Sequence, residues 1–278
     1  MKRVAGWGVA LILSAHAAFA GVRYEFIHSS RSDSDRQPAS DFTATAVIDG
    51  PRSRVDFTAG TAYPPGTYVI STDGARKLSF VDPTQKLYTE VNTLSIASAI
   101  GTSNIIIDNI VATVTKLDDT IRVAGITGEH YRLTMTYDIT VNFRNMPLKQ
   151  RVRAEIDKWT TPLFGDSAEA AFTNSFVQTG NVKIDELIAA ETTKIKGFPL
   201  KQTVRISKTN LTVPRTAKSE LKVPTVRTST REMTVTSIGE VKADQSIFRI
   251  PAEYRKNDFA AQVEKTQTQV LSVEPASN

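Results

Sequence analysis

The segment HYRLTMTYDITVNFR, residues 130–144, decides the fold class. Tyr131, Leu133, Met135, Tyr137, Ile139, Val141 and Phe143 are apolar or aromatic, and Arg132, Thr134, Thr136, Asp138, Thr140 and Asn142 stand between them. Alternation with a period of two marks a β-strand with one face toward a core and the other toward water. At about 3.3 Å per residue the run stretches roughly 40 Å, long for a globular strand and suited to a strongly curved sheet or barrel. Asn145 to Leu148 reads as a turn. Gln150 to Lys158 alternates again, with Val152, Ala154 and Ile156 against Arg151, Arg153, Glu155 and Asp157. The two runs predict an antiparallel hairpin.

Shorter pieces of the same kind lie on both sides. Phe42, Ala44, Ala46 and Ile48 alternate with Thr43, Thr45, Val47 and Asp49, before a Gly50-Pro51 turn and the strand Arg54–Phe57. Tyr68 and Ile70 lead into Asp73-Gly74, a hairpin signal. Leu78 and Phe80 lead into Asp82-Pro83, and Leu87, Thr89 and Val91 return, which makes a β-meander. The β-branched stretch Ile105–Leu117 adds a strand, and others follow at Leu200–Ile206 and Val226–Ile238. Helical signals are fewer. Asn92 or Thr93 is a candidate cap for a short turn through Ile100. Asp166 and Glu169 have capping-box spacing ahead of Ala168, Phe172 and Phe176. Asn181 caps a helix with Ile184, Leu187, Ile188 and Ile195 on one face and Gly197 at its end. A weak helix over Phe259, Val263 and Val270 precedes the C-terminus. The expected class is α+β: a strongly curved antiparallel sheet, an incomplete barrel, with two or three covering helices.

The first twenty residues read as an export signal. Lys2 and Arg3 precede an apolar run from Val4 to Ala18, which closes on Ala18-Phe19-Ala20. Cleavage after Ala20 would leave 258 of the 278 residues: one domain over 21–255 and a C-terminal tail over 256–278. The apolar run is short for a membrane span, and with no cysteine in the chain neither a lipid anchor nor a disulfide is expected. The expected location is the periplasm. The formal charge of +5 falls to +3 once Lys2 and Arg3 are discounted, too little to imply a nucleic-acid partner.

Catalytic patterns are missing. After the signal the histidines are His28 and His130, neither with a metal-ligating partner at helical spacing. No G-x-S-x-G elbow, phosphate loop or H-E-x-x-H occurs. His130 reads as a strand residue, and Asp118-Asp119 as solvated carboxylates. No enzyme activity, cofactor or metal is expected. Two other features bear on binding. Between Lys201 and Arg231 eight cations face only Glu220, without an aromatic residue. That stretch reads either as a solvated hairpin tip or as a surface for an anionic envelope partner, with Lys208, Arg215, Lys218 and Lys222 as contacts. Trp159, Leu163, Phe164, Phe172, Phe176, Leu187 and Phe198 cluster around the late helices. They either fill the concave face as core or line an apolar cleft.

Five phrases carry a family resemblance. They are Ile48 to Asp56 (IDGPRSRVD), Val81 to Glu90 (VDPTQKLYTE), Thr120 to Gly125 (TIRVAG) followed by Tyr131, Gly197 to Lys201 (GFPLK) and Ser246 to Tyr254 (SIFRIPAEY). In order and spacing they resemble exported bacterial domains related to the LolA/LolB-like lipoprotein carriers. The stretch between Ile206 and Val226 is longer than that pattern, and a cysteine of some relatives is absent near Gly128. The resemblance implies a deeply curved sheet whose cavity, covered by helices, shelters acyl chains, and it transfers no catalytic residue. Two functions are therefore expected in turn. The first is a non-enzymatic periplasmic carrier for a lipid or lipoprotein acyl chain. The alternative is an envelope interaction or assembly factor acting through 201–231.

Overall fold

The computed structural model describes residues 21–33, 40–92, 105–143, 146–164, 182–211 and 226–257. The early strands are β1 (Gly21–Ser32), β2 (Phe42–Asp49), β3 (Arg52–Gly60), β4 (Tyr68–Ser71), β5 (Lys77–Asp82) and β6 (Leu87–Asn92). The late strands are β7 (Ile105–Val123), β8 (Ile126–Phe143), β9 (Met146–Thr161), β10 (Phe198–Asn210), β11 (Val226–Val241) and β12 (Arg255–Lys256). All belong to one sheet, in the order β12-β6-β5-β4-β3-β2-β1-β11-β10-β9-β8-β7. Every pairing is antiparallel except β12 with β6. Two meanders thus meet at β1 and β11.

The sheet curls. β7 touches β11 although three strands lie between them. Val123 of β7 packs in the same core as Val22, Tyr24 and Phe26 of β1. A flat sheet would hold such strands some 20 Å or more apart at about 4.8 Å per strand. Bulges near Glu25, Thr43, Asp108, Lys116 and Pro199 supply local bending.

Tight turns join the strands where the sequence provides them. Gly50 has φ +59°, and the Asp49 carboxylate accepts from Arg52 (3.1 Å) across that turn. The Asp82 side chain accepts from the backbone of Thr84 and Gln85 at 2.9 and 3.1 Å. Ala124 and Gly125, both at positive φ, join β7 to β8. On the convex face, residues 243–254 cover the early meander. Phe248 packs with Tyr68, Ile70 and Val81, and Arg54 lies 3.8 Å over the Tyr68 ring while donating to the Ile247 carbonyl.

Several expectations need correction. One α-helix, α1 (Val182–Thr192), stands among the described residues, where two or three were expected. The candidate turn over 93–100 and the candidate helices over 166–176 and 259–270 lie outside the described residues. β9 begins at Met146, and pairs as early as Phe143 with Met146, so the turn expected at Asn145–Leu148 is largely strand. β7 runs on to Val123 rather than stopping at Leu117. In β8, Tyr131, Leu133 and Met135 are buried as the alternation predicts, but farther along Asp138 is 1% exposed and Val141 is exposed. The central strand β1 was not anticipated, although Val22, Tyr24 and Phe26 alternate inward along it.

Candidate functional site

Two apolar clusters occupy the concave face. One gathers Tyr24, Phe26, Phe42, Phe57, Phe198 and Leu200 with neighbours from β1 to β3. The other joins Tyr131, Leu133, Met135, Ala154 and Ile156 to Ile184, Ile188 and Ile195, on and just beyond α1. Burial of this isoleucine stripe seats α1 on the sheet. The Glu191 carboxylate also accepts from the Val114 amide (2.8 Å), which fixes the helix to edge strand β7.

Between the clusters the concave face stays open around a cavity of about 380 Å³. Its apolar walls include Phe26, Phe42, Leu133, Met135, Ile156 and Val204. His28, Lys158, Gln202, Arg231 and Glu232 supply polar and charged groups at its border. The His28 ring stacks on Phe42, with centroids 4.6 Å apart. Burial pushes the His28 pKa below its usual value, so the ring is neutral at pH 7. His28 Nδ1 and Gln202 Oε1 are buried without a hydrogen-bond partner among the described residues. A second recess of about 270 Å³ lies among Phe57, Tyr63, Tyr68 and Tyr88.

The aromatic residues singled out from the sequence do not border the 380 Å³ cavity where they are described. Phe164 and Phe198 meet edge to face, 5.8 Å apart, inside the first cluster. Trp159 points to the convex side and stacks on His130 at 4.2 Å. Leu163 is 66% exposed and Leu187 half-buried. Phe172 and Phe176 lie outside the described residues, as do Arg215, Lys218 and Lys222. Lys208 is exposed near the end of β10. Other cations of that hairpin have acidic neighbours on the sheet: Lys201 pairs with Glu232 (2.6 Å), and Arg205 with Glu155 (3.2 Å). What the sequence reading missed is that the cavity belongs to strand residues, β1 among them. Their signal was the inward alternation itself.

The convex face carries a buried polar cluster around His130. Its Nδ1 lies 2.7 Å from Asp119 and its Nε2 2.9 Å from Asp157, whose Oδ1 also accepts from Arg132 Nε at 2.7 Å. Burial opposes ionisation of Asp157, but hydrogen bonds from Arg132 and His130 outweigh it and hold its pKa below the ordinary carboxylate range. Asp119 is solvent-exposed, as expected, and also holds the His130 ring. No nucleophilic side chain contacts this histidine among the described residues, and its geometry ties the bulged part of β7 to β8 and β9. No group of three or more metal-ligating side chains suited to an ion occurs among the described residues.

A half-open curved sheet with an apolar concave cavity is the class of architecture these features define. No family model matches the chain, and no curated protein matches it. Among solved structures, the chain is similar to a LolA superfamily protein from Nitrosomonas europaea. The identity is 9% and the TM-score 0.29, over 82% of this chain and 90% of the other. It is also similar to PNGF-II, with 11% identity and a TM-score of 0.30, over 87% of this chain and 32% of the other. Both TM-scores lie below 0.5, so neither match assigns a function to this chain. No helix among the described residues is long and apolar enough to cross a membrane.

Proposed function

We propose that this chain is a non-enzymatic periplasmic binding or carrier protein that shelters an acyl chain. The cavity carries this reading. Its volume of about 380 Å³ falls within the ~300–1,000 Å³ usual for small-molecule sites, and mostly apolar strand residues wall it. An acyl chain entering it gains about 0.8 kcal/mol per methylene removed from water. The hydrogen-bonded sheet behind the walls holds the cavity in shape, so little ordering opposes binding. The export signal read in the sequence supports a site of action between two membranes, where such chains need shelter from water.

The test is direct. Protein purified from the periplasm and extracted with organic solvent should release a lipid detectable by mass spectrometry, and the emptied protein should bind a fluorescent fatty acid. Ala154 is buried at the cavity wall beside Met135 and Ile206. Ala154→Phe places a ring in the acyl path and should weaken that binding at least about tenfold. Recovery of no lipid together with no probe binding rejects the carrier reading.

A further inference from the structure

One end of the late meander is unlike the rest of the surface. Of the eight large apolar side chains exposed among the described residues, five gather where β7, β9 and β11 begin and β8 and β10 end. They are Ile106, Val141, Leu148, Leu211 and Val226, between 38% and 57% exposed. Register places them together. Val141 faces Leu148, and Ile106 faces Thr140 beside it. The Leu211 amide donates to the Lys149 carbonyl at 2.8 Å, and Val226 faces Thr209. All five fall within three residues along the strands, about 10 Å, and across five strands, about 19 Å. Single exposed aliphatic side chains are ordinary, but a group of them at one rim marks a contact surface. Val141 and Leu148 belong to the concave face, Ile106 and Val226 to the convex one. Only a partner that meets the strand ends head-on touches them all.

Charge lies directly behind this apolar rim. On the concave face Lys208 of β10 stands opposite Arg227 of β11. Both are exposed, and neither makes a hydrogen bond or an ion pair among the described residues. Like charges directly opposite on neighbouring strands destabilise a hairpin. The carboxylates nearby are engaged elsewhere. Asp138 holds Lys149 and Arg151, and Asp33, just beyond β1, accepts from the Thr228 amide at 3.1 Å. The row of Lys208 and Arg227, with Tyr137 and Val152, follows immediately on the cavity-wall row of Met135, Ala154 and Ile206.

We propose that this end of β7–β11 docks on an anionic lipid bilayer. The apolar rim enters the bilayer interface, and Lys208 and Arg227 meet headgroup phosphates. The combination selects this occupant. A soluble polyanion would use the cations and leave five aliphatic side chains in water, and a neutral apolar surface would use the rim and not the cations. An anionic bilayer offers hydrocarbon to the rim and charge a few ångströms outside it, where long Lys and Arg side chains reach. The inference goes beyond the carrier reading and needs no bound acyl chain. In the docked pose the cavity wall at Met135, Ala154 and Ile206 is one row from the headgroups.

Co-sedimentation of the chain beginning at Gly21 with lipid vesicles tests this. Phosphatidylcholine vesicles containing about one third phosphatidylglycerol should bind about tenfold or more better than pure phosphatidylcholine, and about 0.5 M salt should weaken that binding. Lys208→Gln combined with Arg227→Gln should lose about tenfold or more. Leu148→Ser combined with Leu211→Ser should lose about fivefold or more. Arg23→Gln, which alters an exposed cation near the opposite end of β1, should lose nothing. The chain has no cysteine, so Leu211→Cys accepts a single polarity-sensitive dye. Its emission should shift to the blue on the anionic vesicles, and that of dye on Arg23→Cys should not. No binding, equal binding to the two vesicles, full binding by either folded double variant, or no blue shift from position 211 overturns the proposal. Binding that soluble heparin abolishes and both serine substitutions leave intact also overturns it, in favour of a polyanion surface. If a double variant fails to fold, the dye on Leu211→Cys and the lipid preference of the unaltered chain decide.

Discussion

Replacing Asp138 by asparagine tests how the longest hairpin is held together. The Asp138 carboxylate accepts from Arg151 Nε (2.8 Å), Arg151 Nη2 (3.2 Å) and Asn109 Nδ2 (3.0 Å), and lies 3.3 Å from Lys149 Nζ. Those contacts, Arg151 first and Asn109 next, hold its pKa well below the ordinary value of 3.8. Losing one partner of a fully buried ion pair costs about 3–5 kcal/mol. Here Arg151 is 53% exposed and can return to water, so the loss is nearer that of a charge-assisted hydrogen bond, about 1.5–3 kcal/mol. In a chain of this size that lowers Tm by roughly 3–12 °C. Thermal unfolding followed by circular dichroism at about pH 7 measures it. The pH dependence has a fixed sign. A carboxylate with a depressed folded pKa contributes fully above its unfolded value, and the contribution drains away as pH falls toward the folded pKa. The gap between wild type and Asp138→Asn should therefore start to narrow near pH 3.8 and shrink further below it. An Asp138→Asn protein that melts with wild type at neutral pH, or a gap that widens in acid, refutes the reasoning.

Other predictions concern single positions. Gly197 has φ +88°, and a Cβ there would lie 2.5 Å from the Thr161 carbonyl oxygen, so Gly197→Ala should lower Tm by about 5 °C or more in the same melt. His130→Phe keeps a ring against Trp159 but removes both carboxylate contacts; a loss of about 1–3 kcal/mol in urea unfolding is expected. In a chain beginning at Gly21, Trp159 is the sole tryptophan, and its fluorescence should shift in that variant; an unchanged spectrum and unchanged stability would show that the cluster fixes nothing.

Much of the sheet was legible because burial on one face imposes a period of two on each strand. The hairpin of β8 and β9 and the early meander were read this way, down to the turns at Gly50 and Asp82. The sequence was least informative where a second force competes with that pattern. At Asp138 a polar position is buried because three neighbouring side chains satisfy its carboxylate, and nothing local in the chain announces Arg151 as a partner. At Trp159 the aromatic ring suggested a ligand wall, yet it belongs to the face with His130. The cavity was harder still. Its lining comes from strands far apart in the chain, and only pairing of β1 with β11 brings Phe26 and His28 opposite Leu133 and Ile156.

That pairing has a consequence for the order of assembly. Gly21 of β1 sits opposite Val241 of β11, so the first strand to emerge waits for about two hundred residues to follow before its second edge is covered. Each meander can form from local contacts, but their junction closes a very long loop and is the slow, entropically costly step. Until it closes, Tyr24 and Phe26 flank a bare strand edge, the kind of surface that drives aggregation. A molecule bridging the two halves would bind only the finished protein and pull the equilibrium toward it. If the chain is the carrier proposed above, its ligand would also act as the fastener.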